Sequence, residues 1–250
     1  MRKRTGDNLK IRGDYQYRAL TEGNRIQRFW HHSKLAAVEH HLPPAAGDKV
    51  LDVGCGSGVV SDYLGKSGAS VLAIDANPDA IDFATRNFGR PNVTFERRLI
   101  DDLSSLEAGS FDKIFCLELI EHIYLEQTCQ LFKTFLALLK PGGKIFITTP
   151  NYNSLWPLIE WLMDTLRLAP RMAEDQHVEH FYATKLQQLG INSGFGLVKS
   201  STMCGMAPWV ALLSRGLAKQ VNFVETVLDL HWGSVLVCVF SKPKSETDRS

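Results

Sequence analysis

Val50-Leu51-Asp52-Val53-Gly54-Cys55-Gly56-Ser57-Gly58 is the stretch on which the reading of this 250-residue chain turns. Val50, Leu51 and Val53 form a short apolar run, three glycines follow at alternate positions, and Val59 to Lys66 then takes up a helical apolar period. Glycines at such a strand-to-helix junction let the chain turn tightly and come close to a ligand where a Cβ would clash. A dinucleotide-binding turn would read G-x-G-x-x-G, but here the sixth place is Val59. Asp52 also sets a carboxylate just upstream of the turn, where a pyrophosphate would be repelled. A carboxylate there suits a ligand carrying positive charge, such as a sulfonium with an α-amino group.

Outward from that stretch the chain alternates strands and helices. Strands are expected at Lys49 to Val53, Ser70 to Asp75, Val93 to Arg97, Phe111 to Leu117 and Lys144 to Thr149. Helices are expected at Val59 to Lys66, Pro78 to Asn87 and Leu125 to Leu139. This spacing predicts an α/β fold with a mostly parallel sheet covered on both faces. A helix at Ala183 to Leu189 and strands near Leu197 to Thr202 and Ser234 to Phe240 complete seven strands. In front, Tyr15 to His41 reads as a helical cap ended by Pro43 and Pro44. The expected division is a tail and cap over residues 1–44 and one α/β domain over 45–250.

The stretch from Tyr152 to His180 breaks that rhythm. Leu155, Trp156, Leu158, Ile159, Trp161, Leu162 and Met163 crowd into nine positions, and a second apolar block runs from Met206 to Leu213. Two such blocks point to a lid, an apolar substrate pocket or contact with a membrane surface, the plain alternative being packing. Arg167 and Arg171, at the end of the insert, suit anionic headgroups or water equally.

Lys and Arg total 28 against 27 Asp and Glu, a formal charge of +1, which disfavours a nucleic-acid partner. The five cysteines form no C-x-x-C pair, so reduced thiols are expected rather than disulfides or a zinc site. The basic start MRKRTGDNLK is not followed by an apolar segment and does not read as a signal peptide. The longest charge-free runs fall short of the ~20 apolar residues that cross a bilayer. We therefore expect a cytoplasmic chain acting on a small molecule, peripheral to the inner face of a membrane at most. His31, His32, His40 and His41 lack any recognisable ligand spacing.

Asp75 closes the second strand, where a carboxylate can accept both hydroxyls of a ribose. Asp101 and Asp102, after the third strand, either face an adenine amino group or cap a turn. The fourth strand ends in Cys116-Leu117-Glu118-Leu119-Ile120-Glu121-His122. On a helical turn Glu118 would face both Glu121 and His122. Two carboxylates and an imidazole could hold a divalent metal with positions open for an acceptor's oxygens. Without metal, His122 would serve as general base, unless it and Glu121 merely support the loop. His177 and His180 lie three apart and would meet on one helical face, either adding a ligand or acting on the acceptor.

LDVGCGSG at 51–58, AIDAN at 73–77, Phe111-Asp112 and LKPGGKIFITTPN at 139–151 together resemble the class I S-adenosylmethionine-dependent methyltransferases. The resemblance implies a Rossmann-like fold with S-adenosyl-L-methionine lying on Gly54, Gly56 and Gly58, with Asp52, Cys55 and Ala76 beside them. It implies Asp75 on the ribose, Asp101 or Asp102 beside adenine, and Leu117 and Glu118 near the transferable methyl. Within that superfamily, Cys116, Glu118, Glu121 and His122, with an apolar insert ending in His177 and Phe181, are similar to the ubiquinone-biosynthesis O-methyltransferases. Those enzymes' glutamates and histidine are associated with magnesium. The likeness implies O-methylation of a phenolic or other hydroxyl on an apolar, prenylated or lipid-like molecule. His122, Glu121 and His177 would then be catalytic, and Glu118, Glu121, His122 and His180 would hold the metal. The chain departs from that family at Pro150-Asn151 and in its tail after Ser200.

Glu118 to His122, Thr149-Pro150-Asn151 and a later histidine also resemble the small-RNA 3′-end 2′-O-methyltransferases. Neutral charge and an apolar insert oppose that reading, since a groove for phosphates needs cations. Methylation of a lipid or small-molecule amine, which needs no metal, is a further alternative, and a cofactor-binding scaffold without turnover is another.

Overall fold

The computed structural model describes residues 12–165, 177–211, 213–228 and 232–244. Its sheet holds β1 (Lys49–Val53), β2 (Ser70–Asp75), β3 (Val93–Arg97), β4 (Phe111–Leu117), β5 (Leu139–Pro150), β6 (Gly196–Met203) and β7 (Val235–Ser241). The strand order is β3-β2-β1-β4-β5-β7-β6. The pairs from β3 across to β5 are parallel, whereas β7 runs antiparallel to both β5 and β6. The chain thus has the seven-stranded, mostly parallel Rossmann-like architecture that the alternating pattern predicts.

The central strands of the sheet are buried on both faces, and the edge strands β3 and β6 only in part. Ile114 and Cys116 of β4 enter one apolar cluster, while Phe115 and Leu117 enter the other. A strand that feeds two cores has no polar face, so its sequence is a continuous apolar run. On one face lie α5 (Leu125–Leu138) and α7 (Ala183–Asn192), through Phe132, Phe135 and Leu186. On the other lie α2 (Arg25–His41), α3 (Val59–Lys66) and α4 (Pro78–Phe88), through Val38, Leu64 and Ile81.

Several boundaries differ from the sequence reading. The single helical cap is two helices, α1 (Tyr15–Thr21) and α2. Asn24 separates them, its side chain accepting from the Gln27 amide while Gln27 accepts from the Asn24 amide, so a reciprocal cap starts α2 afresh. Strand β5 begins at Leu139, five residues earlier than expected, with a register shift against β4 between Phe111 and Lys113. The apolar insert forms α6 (Trp156–Thr165), while residues 166–176, with Arg167 and Arg171, lie outside the described residues. The second apolar block contributes the short α8 (Ala207–Val210), and α9 (Arg215–Val227) follows where no helix was expected. No helix among the described residues is long and apolar enough to cross a membrane.

Candidate functional site

A cavity of about 600 Å³ opens at the carboxyl ends of β1, β2, β4 and β5. The strand order reverses between β1 and β4, and such a switch point leaves a crevice that neither neighbouring crossover helix fills. Gly54, Gly56, Asp75, Ala76 and Asp101 form one wall, and Glu118, Glu121, His122 and His177 the other. Tyr15, Gln16, Trp30 and Lys34 of the N-terminal helices, Trp156 of α6 and Trp209 of α8 close over it.

The glycine-loop wall is organised by Asp75. One carboxylate oxygen accepts from the Gly56 amide at 2.8 Å, the other from the Asn77 amide at 2.8 Å. Burial raises the Asp75 pKa, against the backbone N–H groups that favour its anion. Gly56 sits at φ +51°, and a Cβ there would come within 2.5 Å of the Gln16 side chain. The Gln16 amide end, on helix α1, could swing away from such a Cβ, so it is the left-handed backbone that favours glycine here. The Tyr17 amide donates to Ser57 Oγ and the Ser57 amide to Gln16 Oε1, which tie the helix down.

Other members of the expected cofactor set are placed differently. Gly58 does not line the cavity: a Cβ there would meet Ala84 and Phe95 within 3.0 Å, so its role is close packing of the loop against α4 and β3. Asp52, Cys55 and Leu117 line a separate small cavity behind the loop. Asp52 is buried, accepts from Ser61 Oγ at 2.6 Å, and its pKa is pushed up to about 7, chiefly by burial. A half-neutral carboxyl behind the wall is a weak counter-charge for a bound cation. Asp101 faces the cavity from the 3₁₀ turn Ile100–Ser105, whereas Asp102 does not line it.

The carboxylate that does face the cavity near β4 is Glu118. Its backbone is left-handed, φ +52°, so it stands outside the 3₁₀ turn Ile120–His122 and does not join Glu121 and His122 as a helical turn would require. Lys34, nearly buried on α2, pairs with one Glu118 oxygen, and the other oxygen, Oε1, is buried without a hydrogen-bond partner. Lys34 was not anticipated, although Trp30, Lys34 and Val38 fall on one helical face that is otherwise apolar. His31 also lines the cavity, its pKa held well below the ordinary value by burial and then by Lys34 and His32.

Among the described residues, the ligand atoms of Glu121, His122 and His177 lie within 4.8 Å of one another. This set differs from the expected one in two members. Glu118 is drawn away by Lys34, and His180 stacks on Tyr152, ring centroids 3.9 Å apart. Residues 177–182 are not helical, so His177 and His180 do not share a helix face. The segment is instead pinned to the turn, the Val178 and Glu179 amides both donating to the Glu121 carbonyl. Glu121 is buried and accepts from Thr149 Oγ1 at 3.0 Å. Burial raises its pKa, opposed by His122 and His177. The rings of His122 and His177 have centroids 5.0 Å apart. A buried carboxylate between two imidazoles is a donor set that fits a divalent cation and equally a proton-transfer centre. The thiols of Cys55 and Cys116 are pushed well above their ordinary pKa by burial, which makes them inert.

Comparison with known proteins agrees with this geometry. The profile of a family described as a methyltransferase domain matches residues 24–200. A ubiquinone biosynthesis O-methyltransferase of Xanthomonas axonopodis is 38% identical over 120 residues, covering 47% of this chain and 49% of that protein. One of Acinetobacter baylyi is 30% identical over 170 residues, covering 65% and 66%. The matches thus span about half to two thirds of these curated relatives. Among solved structures, an S-adenosylmethionine-dependent methyltransferase of Archaeoglobus fulgidus superposes with a TM-score of 0.63 at 22% identity, covering 91% of this chain and 99% of that one. The N-methyltransferase NodS of Bradyrhizobium japonicum gives 0.63 at 15% identity, covering 97% and 100%. These two likenesses speak for the fold.

Proposed function

The chain belongs to the methyltransferase-domain family, and on that premise we propose that it moves the methyl group of S-adenosyl-L-methionine to a hydroxyl of an apolar small molecule, assisted by a divalent cation such as magnesium. The observation that carries this reading is one cavity with two unlike walls, a glycine loop anchored by Asp75 facing the Glu121–His122–His177 cluster. When bound, the cofactor supplies an electrophilic methyl on a sulfonium. Asp75 would hold the ribose hydroxyls, with Ala76 beside it and Asp101 near the base. Glu118 Oε1, buried and without a partner, fits the cofactor's ammonium, and Lys34 beside it fits the carboxylate. That match of two opposite charges supports a zwitterionic ligand end there.

On the opposite wall, Glu121, His122 and His177 would hold the cation, which would lower an acceptor hydroxyl's pKa. Without the cation, the His122 lone pair would be free to take the proton instead, and the burial of Glu121 keeps the cluster in a low-dielectric setting. The tryptophans Trp30, Trp156 and Trp209 exclude water and give the acceptor an apolar bed. Leu155, Leu158 and Trp161, at or on the helix whose Trp156 and Ile159 line the cavity, are each more than half exposed. They support a lipid-like acceptor reached from a membrane surface. The likeness to ubiquinone-biosynthesis enzymes supports a phenolic ring, while the acceptor itself is unassigned.

The test is to incubate the purified protein with methyl-labelled S-adenosylmethionine and a cell extract, with and without EDTA, and to partition the products. EDTA-sensitive label in the organic phase is the expected result. Label in the RNA or polar fraction would overturn the apolar acceptor. Organic-phase label that ignores EDTA would remove the cation and favour an amine acceptor or His122 acting alone.

A further inference from the structure

Tyr152 lies two residues past the end of β5 and is gripped by the segment carrying the two histidines. Its hydroxyl lies 3.0 Å from His177 Nδ1 and its ring stacks on His180 at an interplanar angle of 17°. Its amide donates to the Phe181 carbonyl at 2.9 Å, and Phe181 is fully buried. The Val178 and Glu179 amides hold the same segment to the Glu121 carbonyl, and Lys185 donates to the His180 carbonyl at 2.8 Å. Tyr152 is thus fixed by its own backbone, by a stacked ring and by the segment it touches.

A neutral imidazole carries one proton, and the group bonded to one ring nitrogen decides what the other can do. If Tyr152 Oη donates to Nδ1, the proton sits on Nε2, which can then neither ligate a cation nor accept a proton. If Nδ1–H donates to Oη, Nε2 carries a lone pair, as histidines in metal sites need from their outer partner. We propose that Tyr152 is a positioning residue that accepts the Nδ1–H of His177 and so holds the Nε2 lone pair toward Glu121 and His122. His180 backs the tyrosine ring and is not itself a ligand. The proposal rests on the reading of that cluster as a cation or proton-transfer site. It assigns work to two side chains that are not among the residues lining the cavity.

The test pairs two readouts on the full chain: ¹⁵N chemical shifts of the histidine ring nitrogens, which report the tautomer, and binding of Mn²⁺ alone by electron paramagnetic resonance. Wild type should show His177 protonated at Nδ1. Tyr152→Phe, which keeps the ring and its stack, should lose that preference and weaken Mn²⁺ binding by about 10- to 100-fold. His180→Phe, which can stack but not ligate, should bind Mn²⁺ as wild type does. An Nε2–H tautomer in wild type, or unaltered tautomer and binding in Tyr152→Phe, overturns the role of Tyr152. Loss of Mn²⁺ in His180→Phe with an unaltered His177 tautomer makes His180 a ligand and overturns its backing role. If wild type binds no Mn²⁺, the cation reading fails, and the tautomer comparison between wild type and Tyr152→Phe still decides for or against Tyr152.

Discussion

The two walls of the cavity hold their groups by different means. The glycine-loop wall is made of backbone: Asp75 is clamped by the Gly56 and Asn77 amides, and the elements that carry it are neighbouring parallel strands. The histidine wall is made of side chains gathered from the turn after β4, from β5 and from residues 177–182. Backbone-built sites tolerate little change at a few glycine and carboxylate positions. Side-chain-built sites depend on a chain of supports, each replaceable at a smaller cost.

The largest effect is expected at the clamp. Asp75→Ala removes the carboxylate proposed to hold the ribose hydroxyls and frees the Gly56 amide, and the affinity for S-adenosylhomocysteine by calorimetry should fall about 100-fold or more, since each hydrogen bond to a charged group contributes about 1.5–3 kcal/mol. A loss under tenfold would erase the distinction between the walls. Next comes His122→Ala, which should lower kcat by about 10²–10³ while leaving that affinity unaltered. Parallel loss of cofactor binding would mean that the walls are not separable.

Asp52 sharpens the comparison from behind the loop. Its folded pKa, about 7, lies above the ordinary carboxylate value of 3.8, so the folded state binds the extra proton and this group's contribution to stability falls as pH rises between those values. Relative to wild type, Asp52→Asn should gain about 2 kcal/mol between pH 5 and pH 7, read from denaturant unfolding at each pH. A flat difference across that window would show that Asp52 is ionised throughout. The smallest effect belongs to Leu158→Asp. Stability should stay within about 0.5 kcal/mol, as for exposed positions generally. KM for an apolar acceptor and binding to lipid vesicles should weaken several-fold, with cofactor affinity unaltered. Unchanged KM would reduce the exposed α6 side chains to ordinary surface.

The same contrast decides what the sequence discloses. Strands β1 to β4 are legible to the residue: burial leaves apolar runs in β1, β2 and β4, whereas β3, at the sheet edge and only partly buried, is read from the alternation of Val93 and Phe95 with polar neighbours. Asn24 and Gln27 were a visible capping signature and would have divided α1 from α2. Helix α9 was harder, since Gly216 and the β-branched Val221, Val224 and Val227 are poor helix formers and packing decides the outcome. In the site, Asp75 follows from its place at a strand end. Lys34, Gln16 and Tyr152 do not, because each acquires its partner only when distant segments fold together. The charge argument that singled out Asp52 fits Glu118 better, whose left-handed backbone turns it toward Lys34 and the cavity. No local pattern announces that reversal.

The place of β7 has a consequence for the order of assembly. It is inserted between β5 and β6, and within the sheet β6 is bonded to β7 alone. A growing chain can therefore pair β1 to β5 as each emerges, but β6 must wait for a strand made some thirty residues later. Until Ser241 has been synthesised, β5 presents an open edge and β6 has no place to dock. The histidine wall stands at that unfinished side, so the glycine loop is complete in the nascent chain well before the site it serves.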